Sequence, residues 1–177
     1  MKTWFALSAI GHDRPGIVAD LAELIYDCDC NLDDSSMTIL GSEFAVLLLL
    51  SSSATDAEAR LSSACKRLEW EKRLTVFFRA LGAEPIPYAA KEHARRHALQ
   101  VVGVDRAGIV AKIARCLADH GVNIAEMHAH ARPEPESGNP IYTMQMALDV
   151  PGSIDAKALA AQLQAVGDTL QVDISFD

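Results

Sequence analysis

Short apolar segments alternate with amphipathic segments along the first 80 residues, and their spacing predicts six elements. Strands are indicated where the apolar run is short, and helices where apolar residues recur on one helical face. The residues Gly41–Ser42 between two strand-like segments predict a hairpin. In chain order, we predict a strand over Trp4–Ile10, a helix over Pro15–Asp27, strands over Leu32–Leu40 and Glu43–Ser51, a helix from a Thr55/Glu58 capping box to about Glu69, and a strand over Leu74–Arg79.

The second half of the chain repeats this order, because the sequence contains an internal repeat. Residues 5–32 align with residues 97–124 without a gap, and the shared positions include Gly-x-Asp-Arg at 11–14 and 103–106. The repeat therefore predicts strands over His97–Gly103, Asn123–Ala131, Ile141–Val150 and Leu170–Phe176, with helices over Ala107–His120 and from Ser153 to about Val166.

Two modules follow from the repeat, over residues 1–80 and 97–177, with a linker at 81–96 that contains glycine, two prolines and a charged end. Each module has the order βαββαβ. With right-handed crossovers this order gives a four-stranded antiparallel sheet with two helices on one face, which is a ferredoxin-like α+β fold. The first and third strands should be central, and the apolar run Phe44–Leu50 predicts a third strand buried on both faces. The open sheet face should need cover from the other module or from a second chain.

The strongest local signal lies between the first strand and first helix of each module, at GHDRPG (11–16) and GVDRAG (103–108). Glycines allow a tight turn and the close approach of a ligand. The helix N-terminus presents unpaired N–H groups and the positive end of the helix dipole, so a carboxylate is a suitable ligand. Asp13 and Asp105 either cap the helix or accept a hydrogen bond from a ligand's ammonium group.

Asn31 and Asn123 follow the first helix of each module, where the next strand begins. If they approach the turns of their own or a neighbouring module, the combined groups suit recognition of an amino acid. The alternative is a purely structural role, in which glycine forms the turn, aspartate caps the helix and asparagine ends it in a left-handed conformation.

Charge and composition restrict the partners. The 177 residues have a formal net charge of −8 that divides equally between the halves, so neither half is a basic nucleic-acid-binding arm. No apolar run reaches the ~18 residues of a membrane helix. The N-terminus also lacks the features of a signal peptide, so we expect a cytoplasmic protein without a membrane partner.

Other candidate chemistry is weak. Cys28 and Cys30 have no second cysteine pair, and Cys65 and Cys116 occupy apolar positions of helical patterns. His128 and His130, with Glu126 at the same strand parity, could hold a metal, but polar filling of an interface explains them as well. No P-loop, GxSxG or HExxH occurs. We therefore predict no metal, no cofactor and no enzymatic activity.

These turns also carry a resemblance to a known family. G-x-D-R-P-G-I-V after a strand, followed by Asn-Leu or Asn-Ile 15 residues after the last glycine of the turn, resembles the ACT domain. Two such domains and a short linker resemble the glycine cleavage system transcriptional repressor family. The second copy departs from the motif at Ala107 and Val104. The resemblance implies these ligand-binding residues: Gly11, His12, Asp13, Arg14, Pro15, Gly16, Asn31, Gly103, Asp105, Arg106, Gly108 and Asn123.

The resemblance further implies a regulator that binds a small amino acid, with glycine as the first candidate. In the repressor family a partner activator contacts DNA, which agrees with the acidic charge of this chain. We expect a homodimer that does not bind nucleic acid directly. The alternative function is an ACT interaction or dimerisation module without a ligand.

Overall fold

Both halves of the chain form the predicted βαββαβ order in a computed structural model, which describes residues 2–86, 94–133 and 140–177. The chain divides into two units, Met1–Pro87 and Tyr88–Asp177, which we call the first and second module. The first contains β1 (Thr3–His12), α1 (Ile17–Asp27), β2 (Asn31–Leu40), β3 (Glu43–Ser52), α2 (Ala57–Lys72) and β4 (Thr75–Leu81). The second contains β5 (Ala94–Val104), α3 (Ile109–Asp119), β6 (Asn123–Pro133), β7 (Pro140–Pro151), α4 (Ala156–Leu170) and β8 (Val172–Phe176).

Each module has one four-stranded antiparallel sheet, ordered β2-β3-β1-β4 in the first and β6-β7-β5-β8 in the second. The first and third strands of each module are therefore central, as predicted. Side chains on one face of each sheet pack against the two helices, and each module has its own apolar core. Phe5 and Phe44 lie in the first core, and Leu99 and Met144 lie in the second. The ferredoxin-like prediction is confirmed.

The prediction that β3 is buried on both faces is wrong. Phe44 and Leu48 point toward the helices and are buried, whereas Leu47 points to the other face and is 58% exposed. The reason is that both helices cover the same face of the sheet. A continuous apolar run thus occupies a strand of which only one face is covered within the module.

Helix ends depart from the predicted capping pattern. The capping box at Thr55 and Glu58 does not form, because α2 begins after Asp56 and has no side-chain cap hydrogen bond. Helix α4 does have a side-chain cap, since Asp155 accepts a hydrogen bond from the Lys157 backbone N–H at 2.9 Å. Helix α2 extends past Glu69 to Lys72 and is followed by Arg73 in the left-handed region, at φ 55°.

Part of the predicted linker, residues 87–93, lies outside the described residues, and β5 begins at Ala94, before the predicted start at His97. Within the described part of the chain, no helix has the length and apolarity needed to cross a membrane.

Candidate ligand-binding site

The two turns between the first strand and first helix have the same backbone geometry in both modules. The Asp13 backbone N–H donates to the Ser42 carbonyl at 2.8 Å, and the Asp105 N–H donates to the Pro140 carbonyl at 3.0 Å. Gly16 and Gly108 precede their helices with φ values of 86° and 97°. A left-handed φ strains residues that have a Cβ, so these positions require glycine for conformation. The sequence repeat is therefore also a repeat of turn structure.

Of the two alternatives for Asp13 and Asp105, the structure excludes the one in which they cap the following helix. The N-caps are Gly16 and Gly108, and neither helix has a side-chain cap hydrogen bond. Pro15 lies in the turn before α1, rather than within the first helical turn as predicted. Both aspartate side chains are exposed. They are thus accessible to a ligand beside the N-terminal N–H groups of α1 and α3.

Gly11 and Gly103 are close to other parts of their own module, so the space that was predicted for a ligand is filled there. A Cβ on Gly11 would lie 2.5 Å from Leu74 Cδ2 and 3.3 Å from the Arg73 carbonyl oxygen. A Cβ on Gly103 would lie 2.7 Å from Val172 Cγ1 and 3.1 Å from Val172 Cα. These two glycines let the start of the last strand pack against the turn. Sequence reasoning missed this role, because the contacting residues are distant in the chain.

Charged side chains near the first turn form an ion-pair cluster. Arg14 forms an ion pair with Asp20 and also donates to the Pro15 carbonyl at 3.4 Å, while Lys72 Nζ lies 3.3 Å from Asp20 Oδ1. The hydrogen bond from Arg14 is the main cause that holds the pKa of Asp20 below its ordinary value; partial burial opposes this effect and Lys72 adds to it. His12 is exposed, with its Nδ1 atom 3.7 Å from Glu43 Oε1. The first turn thus has acidic groups close to its cations.

The second turn has a different charge arrangement. Arg106 is exposed and donates a hydrogen bond to the uncharged side chain of Gln171. The position equivalent to Asp20 in the repeat is Lys112. The position equivalent to Glu43, opposite the last residue of the first strand, is the uncharged Ile141. The second turn therefore offers a guanidinium group without a carboxylate partner among the described residues, next to a helix N-terminus.

Asn31 and Asn123 lie at the opposite ends of their sheets from the turns. Asn31 pairs with Ser51, which pairs with Trp4 near the start of β1, whereas the turn follows His12 at the other end. Eight residues of strand separate the two ends, or roughly 27 Å at ~3.4 Å per residue. Asn123 pairs with Asp149 in the same way, far from Val104. The interpretation that an asparagine meets the turn of its own module is wrong.

The surroundings of the two asparagines contain polar residues that sequence reasoning did not single out. Asn31 Nδ2 donates to Asp33 Oδ1 at 3.1 Å. The strand partner of Asn123, Asp149, is only 3% exposed, and its Oδ1 lies 2.8 Å from Arg96 Nε. The signal in the sequence is a lone aspartate in the apolar strand β7, at a position facing away from the helices.

The remaining candidate groups are the cysteines and the two histidines of β6. Burial raises the pKa of all four cysteine thiols, and the pKa of Cys65 reaches about 11. Of the two cysteines at apolar helical positions, Cys65 is buried and Cys116 is half-buried. His128 and His130 pair with Gln145 and Thr143 on the sheet face opposite the helices. Across residues 2–86, 94–133 and 140–177, no three His, Cys, Asp or Glu side chains are arranged to hold a metal ion.

The ion pair at the first turn predicts a pH-dependent contribution to stability. The folded-state pKa of Asp20 is lowered, so its contribution is complete above the unfolded pKa of about 3.9 and is lost as pH falls through the folded pKa. Asp20→Asn should therefore be less stable than wild type at pH 7, and the difference should shrink below about pH 4. Urea unfolding at several pH values measures it. Glu23→Gln, on the same helix, is the control; a difference that stays constant down to pH 2 would contradict the ion-pair argument.

Comparison with known proteins agrees with this geometry. ACT-domain models match residues 4–79 and residues 94–173, which are the two modules that carry the turns. The chain therefore belongs to the ACT-domain proteins and has two ACT domains in tandem. The resemblance inferred from the turn motifs is confirmed.

Relatives that match almost the whole chain are more specific. The glycine cleavage system transcriptional repressor of Escherichia coli (strain K12) is 28% identical over 97% of this chain and 92% of its own length, and the repressor of Shigella flexneri gives the same values. Among solved structures, an unknown protein from Galdieria sulphuraria is 27% identical, with a TM-score of 0.77 over 100% of this chain and 98% of its own.

Proposed function

We propose that this protein is a non-enzymatic, amino-acid-responsive regulator, similar to the glycine cleavage system transcriptional repressor, that acts on transcription through a partner activator. The observation that carries the proposal is the pair of geometrically matched turns, each with an exposed aspartate beside a helix N-terminus. Family membership and the named repressors among its relatives support a regulatory role.

The chemistry of the turns suits a small amino acid. The N-terminal N–H groups of α1 and α3 favour a carboxylate, and Asp13 or Asp105 can accept hydrogen bonds from the ammonium group. A small side chain fits best, because Leu74 and Val172 already fill the space beside Gly11 and Gly103. Glycine is the first ligand to test.

A turn and an asparagine do not meet within one module. Asn31 and Asn123 lie at the far ends of their sheets, so an asparagine can join a turn only if it comes from a neighbouring module. That module belongs either to the same chain or to a second copy in a homodimer. A site at such a junction would couple ligand binding to the arrangement of modules, which is what a regulator requires.

The acidic charge supports action through a protein partner in the cytoplasm. A net charge of −8 divided equally between the halves repels phosphates, so direct DNA binding would need a basic patch that neither half supplies overall. A partner transcriptional activator would provide the DNA contacts.

Isothermal titration calorimetry with glycine and serine tests the proposal. Wild type should bind at least one of them, and Asp13→Ala or Asp105→Ala should weaken binding about 10- to 150-fold, because a charge-assisted hydrogen bond is worth roughly 1.5–3 kcal/mol. Glu58→Ala removes an exposed carboxylate from the first turn of α2, at the opposite end of that helix from Lys72, and is the matched control. Absence of heat with every amino acid would reduce the protein to a ligand-free interaction module. Unchanged binding in both aspartate variants would remove the turns from the site.

A further inference from the structure

The sheet of the first module has an exposed apolar face. Side chains of β1 to β4 that point away from the helices form what we call the first open face. On it, Ile10 is 50% exposed, Leu47 is 58% exposed and Phe77 is 67% exposed. Water-exposed apolar groups on adjacent strands favour an interaction surface over a solvated one.

The fold itself does not require these apolar residues. Ser8 pairs with Leu47 on one side and with Phe77 on the other. In the second module the position equivalent to Ser8 is Gln100. Its strand partners are Gln145 in place of Leu47 and Ser175 in place of Phe77. At these positions the first module is apolar and the second module is polar, although both have the same fold. The apolar face is therefore a feature of the first module and not a requirement of the fold.

The two central strands of the first open face combine a large and a small side chain in each row. In the observed register the rows are Trp4 with Ser51, Ala6 with Leu49, Ser8 with Leu47, and Ile10 with Ala45. The large residue changes strand along the sheet: it is on β1 in the outer two rows and on β3 in the inner two. A shallow hollow of about 230 Å³ is lined by Ala6, Asp34, Ser35, Ser36, Leu47, Leu48 and Leu49.

This pattern is complementary to itself under one particular symmetry. A two-fold axis that runs parallel to the strands, between two stacked sheets, places β1 of one copy over β3 of the other without changing rows. Every large side chain then faces a small one: Leu49 lies over Ala6, Leu47 over Ser8, and Ile10 over Ala45. A two-fold axis perpendicular to the strands would instead place Leu49 against Leu47. Interdigitation of large and small residues favours the first arrangement.

The edge strands agree with the same axis. Arg79 on β4 and Asp34 on β2 lie in the row of Ala6 and Leu49, at opposite edges of the sheet. Neither forms an ion pair with any other residue that the structure describes. The two-fold axis places Arg79 of each copy next to Asp34 of the other copy, so that a dimer contains two such pairs. Opposite charges at the rim of an interface favour its register.

We propose that the first open face is the surface on which two copies of this chain associate, sheet against sheet, about a two-fold axis parallel to the strands. Three strands of ten residues and one of seven, spaced ~4.8 Å apart, give a face of roughly 600 Å² per copy. Counted on both copies, this area is about 1,200 Å², which reaches the lower limit of stable specific interfaces. The proposal concerns association of two copies, and the observations that carry it do not involve an amino-acid ligand.

Sedimentation equilibrium of the full chain tests the surface. Wild type should be a dimer, and Leu47→Asp should raise its dissociation constant about 100-fold, because each interface would bury two unpaired carboxylates. The matched control is Gln145→Asp at the equivalent position of the second module, which should leave the dimer unchanged. Circular dichroism of both variants verifies folding. A wild type that is monomeric at about 100 µM, or a Leu47→Asp variant that dimerises like wild type, would overturn the proposal.

A side-chain exchange tests the axis. Ser8→Leu alone and Leu47→Ser alone should each weaken the dimer, since one places large on large and the other leaves a void. The double variant Ser8→Leu/Leu47→Ser exchanges the large and small residues within one row and should restore the dissociation constant to about that of wild type. If both single variants weaken the dimer and the double variant does not recover, the parallel two-fold axis is wrong. Glycine titration of the same variants, by calorimetry, reports on the proposed function separately.

Discussion

Replacing Gly103 by alanine should lower the free energy of unfolding by about 2 kcal/mol, the usual cost of inserting an atom into a packed site. The added Cβ would lie 2.7 Å from Val172 Cγ1, 3.0 Å from its Cβ and 3.1 Å from its Cα. The last two atoms belong to the base of the side chain and the backbone, so β8 must move to relieve the contact. Chemical unfolding followed by circular dichroism measures the change.

Gly11→Ala should be destabilising by a smaller amount. Its nearest contact, at 2.5 Å, is the end of the Leu74 side chain, which can rotate, and the Arg73 carbonyl oxygen lies farther away at 3.3 Å. Gly82→Ala is the control, because nothing lies within 4 Å of its Cβ position. A Gly103→Ala protein that is as stable as wild type but no longer binds glycine would restore the original interpretation, in which this glycine admits a ligand.

Arg106→Gln should weaken binding of glycine about tenfold, and more than Arg14→Gln does, if the proposed amino-acid site exists. Arg106 is exposed and donates to the neutral Gln171 side chain, and it pairs with no carboxylate in the part of the chain that the structure describes, so its charge remains available to a ligand carboxylate. Arg14 is already paired with Asp20, which also attracts Lys72. A carboxylate ligand at the first turn must therefore compete with a carboxylate of the protein.

Calorimetry on the two arginine variants measures this difference. Arg115→Gln is the control, because it removes an exposed positive charge from α3 while leaving the turn intact. Equal losses in Arg14→Gln and Arg106→Gln would contradict the charge argument. Loss in Arg14→Gln alone would assign the stronger site to the first turn.

The order of strands and helices was predictable because hydrophobic periodicity is a local property. The strand expected over Trp4–Ile10 is observed over Thr3–His12, and the helix expected over Pro15–Asp27 begins two residues later at Ile17. The late start has a specific cause, since Gly16 adopts a left-handed conformation and supplies the N-cap. The pattern of apolar residues contains no information on that backbone angle.

The candidate site was only partly predictable. The turns themselves were identified from their repeated glycines and aspartates, and the structure shows the two turns with matched hydrogen bonds. The distance between Asn31 and the turn of its own module was not predictable, because α1 carries the chain back along the sheet before β2 begins. Closeness in sequence to the turn was therefore misleading about closeness in space.

By itself, the sequence determined the duplication, the βαββαβ order and the two turn motifs, because each depends on residues near one another in the chain. Only the tertiary structure decided that Leu74 and Val172 occupy the space beside Gly11 and Gly103, and that Leu47 faces away from the helices. These features depend on strand register and on contacts between distant segments. Local periodicity is the same for a strand with one covered face and for a strand with two, so packing alone distinguishes them.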